Sequence, residues 1–136
     1  MYEVFEHTAD VGLRVRAGDL KGLFAEAGRG LFSLLVENLD VVRPVAEMSF
    51  KVEAGDLEDL LHDWLGELLY AFESKKLVLV EFEVKIEGLK LWAKGSGEKL
   101  DERKHQLGQE IKAITYHGLV VRREAEGWMA EVIVDL

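Results

Sequence analysis

The sequence predicts an α+β fold: a single domain in which two helices pack on one face of a mixed or mostly antiparallel sheet. Three observations carry that expectation. Residues 20–36 and 57–73 place apolar side chains at helical spacing. Several other segments alternate apolar and polar residues with period two, and some are joined by short turns. Finally, Val15-Arg16-Ala17-Gly18-Asp19-Leu20 recurs as Val52-Glu53-Ala54-Gly55-Asp56-Leu57, an offset of 37 residues. Each copy reads as a strand, a Gly-Asp turn and the start of a helix.

The first strand points Leu13, Val15 and Ala17 one way and Arg14 and Arg16 the other. Asp19 then has the type and place of an N-cap, accepting from the free N–H groups of the first helical turn. The first helix, 20–36, turns Leu20, Leu23, Phe24, Ala27, Leu31, Leu34 and Leu35 toward a core. Met48, Phe50 and Val52 alternate with Glu47, Ser49 and Lys51 in the next strand, and Asp56 repeats the cap. The second helix, 57–73, buries Leu57, Leu60, Leu61, Trp64, Leu68 and Phe72. Leu65 and Leu69 widen that stripe, which suits contact with the sheet on one side and the other helix on another. The repeat continues as Leu23/Leu60 and Leu31/Leu68, but Ala25-Glu26-Ala27 answers to His62-Asp63-Trp64. The duplication therefore reads as a structural strand-helix unit rather than as two equivalent ligand sites.

Val78, Val80, Phe82, Val84 and Ile86 alternate with Glu81, Glu83, Lys85 and Glu87, a half-buried strand. Glu87-Gly88 turns into residues 89–94, a hairpin. Trp92, on the polar face of that second arm, fits a cross-strand pair or an interface. Gly95-Ser96-Gly97-Glu98 is expected to open a polar loop reaching Gln109. It lacks the later glycines and lysine of a phosphate-binding loop. Two final strands, 110–123 and 128–135, meet around Ala125-Glu126-Gly127.

At 136 residues, positions 1–136 make one domain. The chain has no cysteine, which excludes disulfides, zinc-thiolate sites and cysteine nucleophiles. Lys and Arg number 17 against 26 Asp and Glu, a net charge of −9. Such a surface repels a phosphate backbone, so direct nucleic-acid binding is not expected; it suits a cation or a basic protein partner. No apolar run approaches the roughly 20 residues of a membrane span. The N-terminus shows no basic-then-apolar leader, so a cytoplasmic protein is expected. One Asn and two Gln beside abundant Glu, Lys and Arg resemble a thermophile's composition.

Three places carry candidate chemistry. In His7-Thr8-Ala9-Asp10-Val11-Gly12, Asp10 is either a turn former or a ligand for a hard cation. The ending Val132-Ile133-Val134-Asp135-Leu136 offers the Asp135 side chain and carbonyl and the Leu136 carboxylate, oxygen donors of the kind calcium prefers, or simply a frayed strand end. In the stretch holding His105, Glu110, Lys112 and His117, Lys112 sits between apolar residues, poised for an anion or snorkelling at a sheet edge. His105 and His117 are candidates for titration near neutral pH or for structural roles. No nucleophile-elbow order, no metal-spaced histidine partner for His62 and no singular acid/base pair assembles an enzyme site.

Four segments together resemble the archease family. They are His7-Thr8-Ala9-Asp10-Val11-Gly12; the helix with Asp56-Leu57, Leu60-Leu61, Trp64-Leu65 and Glu67-Leu68-Leu69; Glu110-Ile111-Lys112-Ala113-Ile114-Thr115-Tyr116-His117; and Trp128, Ala130 and Val132-Ile133-Val134-Asp135-Leu136. They come in the family's order and span the chain. The resemblance implies a non-catalytic accessory protein of the RtcB-type tRNA-splicing RNA ligase. Its implied role is to promote guanylylation of that ligase, support multiple turnover and broaden nucleotide use. It also implies a divalent metal, calcium by preference, on Asp10, Asp135 and the terminal Leu136. The family more often ends in Asp-Ile; a backbone ligand tolerates the change. Lys112, and after it Glu110 and His105, are the implied residues for activating the partner. Other readings are a general chaperone or modulator of tRNA-modifying enzymes, and a small metal-dependent hydrolase.

Overall fold

A computed structural model describes residues 1–7 and 10–136, with the side chains of 1–5 and 10–136. The turn expected within His7-Thr8-Ala9-Asp10 therefore lies, at Thr8 and Ala9, outside the described residues. Strand β2 (Asp10–Ala17) turns Val11, Leu13 and Val15 into the core and Arg14 and Arg16 outward. It is flanked by two antiparallel neighbours. On one side is β1 (Tyr2–His7), paired from Tyr2↔Val15 to His7↔Asp10. The sequence pattern starts its first strand at Leu13 and does not reveal β1, because β1 is an edge whose Tyr2 and Val4 stay exposed. On the other side is β8 (Gly127–Asp135), paired from Asp10↔Asp135 to Ala17↔Trp128.

The two strand-helix units are as expected at their hinges. Asp19 accepts from the Gly22 N–H at 2.9 Å and starts helix α1 (Leu20–Leu35). Asp56 accepts from the Asp59 N–H at 2.8 Å and starts α2 (Leu57–Lys75). Lys76, in the left-handed region at φ 54°, ends α2 and returns its N–H to the Ala71 carbonyl. The helices meet through Trp64, fully buried, whose indole N–H donates to the Phe24 carbonyl at 2.9 Å. Its ring stands edge-on to Phe50 and Phe82, with centroids 5.4 and 5.9 Å away. One apolar core joins residues of both helices and of all the longer strands except β1.

The α+β class stands, but the strands form two sheets, and every described pairing is antiparallel. The second sheet orders β3 (Ala46–Glu53), β5 (Lys90–Lys99) and β4 (Leu77–Glu87) as β3-β5-β4. Helix α1 touches β2 of the first sheet and β4 of the second, so it lies between the sheets rather than on one face of a single one. A helix buried on ten of its sixteen residues needs two covering layers.

Two further expectations are corrected. Gly95-Ser96-Gly97-Glu98 is not a loop: β5 runs through it to Lys99. A Cβ at Gly97 would strike the Val78 carbonyl, and β4 shifts register between Leu79 and Glu81 at the same level. The glycine admits a close backbone approach at a bulge, a use of glycine that composition alone reads as a loop. The expected strand 110–123 is broken into β6 (Ala113–Ile114) and β7 (Val120–Glu124), both paired with β8. From Ile114 to Val120 the chain advances six residues while its partner steps three, from Val134 to Glu131, so residues 115–119 loop out. Gly118, at φ 64°, makes the turn. Trp92 is a cross-strand partner: it stands between Lys51 and Lys85, with the Lys85 ammonium 5.7 Å from its ring centroid. No helix among the described residues is long and apolar enough to cross a membrane.

Candidate functional site

Because β2 and β8 run antiparallel, the entrance of one meets the end of the other. Their terminal pair is Asp10↔Asp135. Residues opposed in register project from the same face, with Cβ atoms about 4.5–5.5 Å apart. Val11 and Val134, the next pair, face the core, so the two aspartates share the opposite face. Asp10 is half-buried and Asp135 exposed. The backbone of His7 adds a third strand to this row beside Asp10, and Ala113 a fourth beside Asp135.

The backbone completes the donor set. The Lys112 N–H donates to the Asp135 carbonyl at 2.8 Å, which fixes that carbonyl at the sheet end and leaves its second lone pair. Leu136 follows directly and packs against the core. Carboxylates brought close together repel one another, and a hard dication relieves such repulsion. Hard cations take oxygen ligands and complete their shell with water. Asp10, Asp135 and Leu136 are the oxygen-bearing residues here that could hold such an ion. Among the described residues no group of three or more His, Asp or Glu side chains is placed to hold a metal ion.

The same sheet face is organised beyond the carboxylate pair. Arg14 donates to Glu131 at 2.7 Å and lies 4.9 Å over the Phe5 ring. Arg16 reaches Glu124 at 3.2 Å and Glu3 at 3.4 Å. A surface recess of about 660 Å³, lined by Arg16, Glu124 and Trp128, opens at the far end of β2 from Asp10.

The remaining predicted residues fall in two places. Glu110 and Lys112 are both exposed on either side of the buried Ile111, and Lys112 is tied to Asp135 by its backbone. His105 is elsewhere and is 2% exposed. Its Nδ1 accepts from the Asp101 N–H at 2.9 Å, so its proton is on Nε2, which donates to Glu98 at 2.6 Å. Lys104 also holds Glu98, at 2.9 Å. Its hydrogen bond, with those of His105 and the Arg43 backbone, outweighs burial and lowers the Glu98 carboxyl to about 2. His105 thus locks the segment that carries Glu110 and Lys112 and presents no surface of its own. His117 is exposed, and its N–H donates to the Thr115 hydroxyl at 3.2 Å.

One residue set aside in the sequence is placed against the site's frame. His62 of α2 donates from Nε2 to the Ile114 carbonyl at 3.0 Å and stacks on Tyr116 with centroids 3.9 Å apart. Desolvation, then the Asp59 and Asp63 carboxylates, raise the Tyr116 phenol above its ordinary value. Nothing local in the helix marks this contact, because its partner lies 52 residues away.

Residues 2–136 match the Archease protein family. The chain belongs to the archease family. The archease of Methanopyrus kandleri is 42% identical over 139 residues, covering 99% of each chain. That of Pyrococcus abyssi is 41% identical, covering 99% of this chain and 98% of its own. In solved structures, protein 1598 of Methanobacterium thermoautotrophicum superposes with a TM-score of 0.88 at 32% identity, covering 99% of this chain and 98% of that one. A Thermotoga maritima archease, described as a possible chaperone, gives a TM-score of 0.61 at 26% identity, with 100% and 98% covered.

Proposed function

We propose that this archease is a non-catalytic activator of an RtcB-type tRNA-splicing RNA ligase, promoting its guanylylation and multiple turnover and broadening its nucleotide use. In this reading a divalent cation, calcium by preference, is held by Asp10, Asp135 and Leu136. The observation that carries the reading is the Asp10↔Asp135 register pair, which brings the first and last of the four family-like segments onto one sheet face. Lys112, exposed and tethered to Asp135, is the adjacent group for the partner, and the net charge of −9 suits a basic, RNA-handling enzyme.

The test is RNA ligation with the ligase limiting, in the presence and absence of this protein. Multiple turnovers only in its presence are the expected result; a single turnover either way removes the activator reading. Asp10→Asn should weaken calcium binding by about tenfold or more, since ligand charge sets affinity at such sites, and should lower activation in step. Metal affinity lost with activation intact would make the site structural only. The second reading, a general chaperone or modulator of tRNA-modifying enzymes, draws on the possible-chaperone description of the Thermotoga maritima relative. Suppressed aggregation of unrelated client proteins would favour it.

A further inference from the structure

We propose that His62, on α2, is a positioning residue for the Asp10–Asp135 carboxylate pair, acting through residues 112–116 without touching the pair. Its functional consequence rests on the metal-site reading above; its mechanical part rests on geometry alone.

Residues 112–116 form the outermost layer of the first sheet beside Asp135. Only two of them, Ala113 and Ile114, pair in the ladder as β6, and β6 is the end of the sheet order β1-β2-β8-β6. Two ladder residues are below the usual strand length of about three to ten. On one side β8 holds them. The Lys112 N–H donates to the Asp135 carbonyl at 2.8 Å, and the Thr115 N–H and hydroxyl donate to the Ile133 carbonyl at 3.0 and 2.8 Å. On the other side the hold comes from α2 through His62. Its Nε2–H donates to the Ile114 carbonyl at 3.0 Å, and its ring lies nearly parallel to Tyr116, 12° between planes and 3.9 Å between centroids.

The ring is itself oriented. Its Nδ1 faces the Asp63 carboxylate at 2.9 Å. The imidazole is thus clamped between Asp63 on its own helix and the Ile114 carbonyl at the sheet edge. Without it, an edge carbonyl loses its partner and Tyr116 loses its platform, which leaves residues 112–116 to β8, the burial of Ile114 and the Tyr116–Asp59 hydrogen bond. Lys112 and Asp135 then lose their fixed register. Partners of this outer kind commonly alter metal affinity by about 10–100-fold.

The experiment measures amide exchange at Lys112 and Thr115 and, in parallel, calcium affinity by calorimetry, with melting temperature as the folding control. His62→Ala should speed exchange at both amides by about tenfold or more and weaken calcium binding by a similar factor. His62→Gln, whose amide can still donate to the Ile114 carbonyl, should restore most of both; a purely packing role would not be rescued this way. Should His62→Ala unfold the chain, Tyr116→Ala, at a residue 59% exposed, tests the same tether through its stacking half. Unchanged exchange at Lys112 and Thr115 in the folded variants overturns the proposal, as does a His62→Gln variant no better than His62→Ala. If the unaltered protein binds no calcium, the metal-site reading fails by itself, and the exchange result still decides the role of His62.

Discussion

The two copies of the strand-turn-helix unit share a cap and a hydrophobic spacing, yet they end in opposite environments. Helix α1 buries ten of its sixteen residues and lies against strands of both sheets. Helix α2 buries seven of nineteen and carries Glu58, Asp59 and Asp63 on its partly exposed side. At equivalent positions, the buried Ala25 of the first copy answers to His62, and Ala27 answers to Trp64. The cap starts a helix in either setting; the surrounding layers then decide which of its faces can remain polar. The copy placed between two sheets becomes scaffold. The copy with a free side supplies His62 to the frame of the candidate site.

The largest test of that contrast is Trp64. It is the seam between the copies, filling the space beside α1 with a fully buried ring and a hydrogen bond to the Phe24 carbonyl. Trp64→Ala should cost about 3–5 kcal/mol by urea unfolding. A loss below about 1 kcal/mol would mean that the helices are held mainly by their sheets and that the seam matters little.

What the sequence made legible follows the range of the interactions. Asp19 and Asp56 act within three residues, so their caps and the helices after them could be read directly. The hairpin at Gly88 is equally local. The split into two sheets could not be read, because alternation says that a strand has a buried face but not which strand lies beside it. Gly97 was ambiguous for the same reason: its meaning depends on Val78, which the fold brings against it. At the site, the residue types left Asp10 as a turn former or a cation ligand and Asp135 as a frayed strand end or a cation ligand, and only the family resemblance joined them. The register sets the two side by side. The burial of His105 on Glu98 and the reach of His62 to Ile114 are long-range outcomes that no periodicity marks.

The two helices also end differently, and this yields an intermediate effect. Helix α2 closes on itself at Lys76, whereas α1 runs into extended backbone at Val36. The last carbonyls of α1 are taken from outside: Gly108 donates to Leu35 at 2.8 Å and Gln109 to Leu34 at 2.7 Å. The segment supplying those groups is clasped by Glu98 through Lys104 and His105. The Glu98 carboxyl is lowered from 4.5 to about 2 in the folded state. A lowered carboxyl stabilises the fold above its unfolded value, and that contribution is lost as pH falls from about 4.5 toward 2. Amide exchange at Gly108 and Gln109 should therefore rise across this window, before the end of α2 responds. Glu98→Gln should flatten the acid limb and cost about 1.5–3 kcal/mol near neutral pH, the usual value of hydrogen bonds to a charged group. An acid limb unchanged by Glu98→Gln would remove the clasp from the comparison.

The smallest effect separates the copies at their starts. Asp19→Ala and Asp56→Ala each remove one cap and should each cost about 1 kcal/mol. They should not cost the same. Helix α2 keeps Glu58 and Asp59 in its first turn, and α1 has no acidic residue there. Negative charge at a helix N-terminus is worth about 0.3–1 kcal/mol against the macrodipole. Asp56→Ala should thus be the milder substitution by a few tenths of a kcal/mol, and the gap should close in high salt, where that charge is screened. A gap that persists in high salt would trace the difference to packing of the first turn. The two caps would then be unequal for the same reason as the two helices, the layers around them rather than the charges within them.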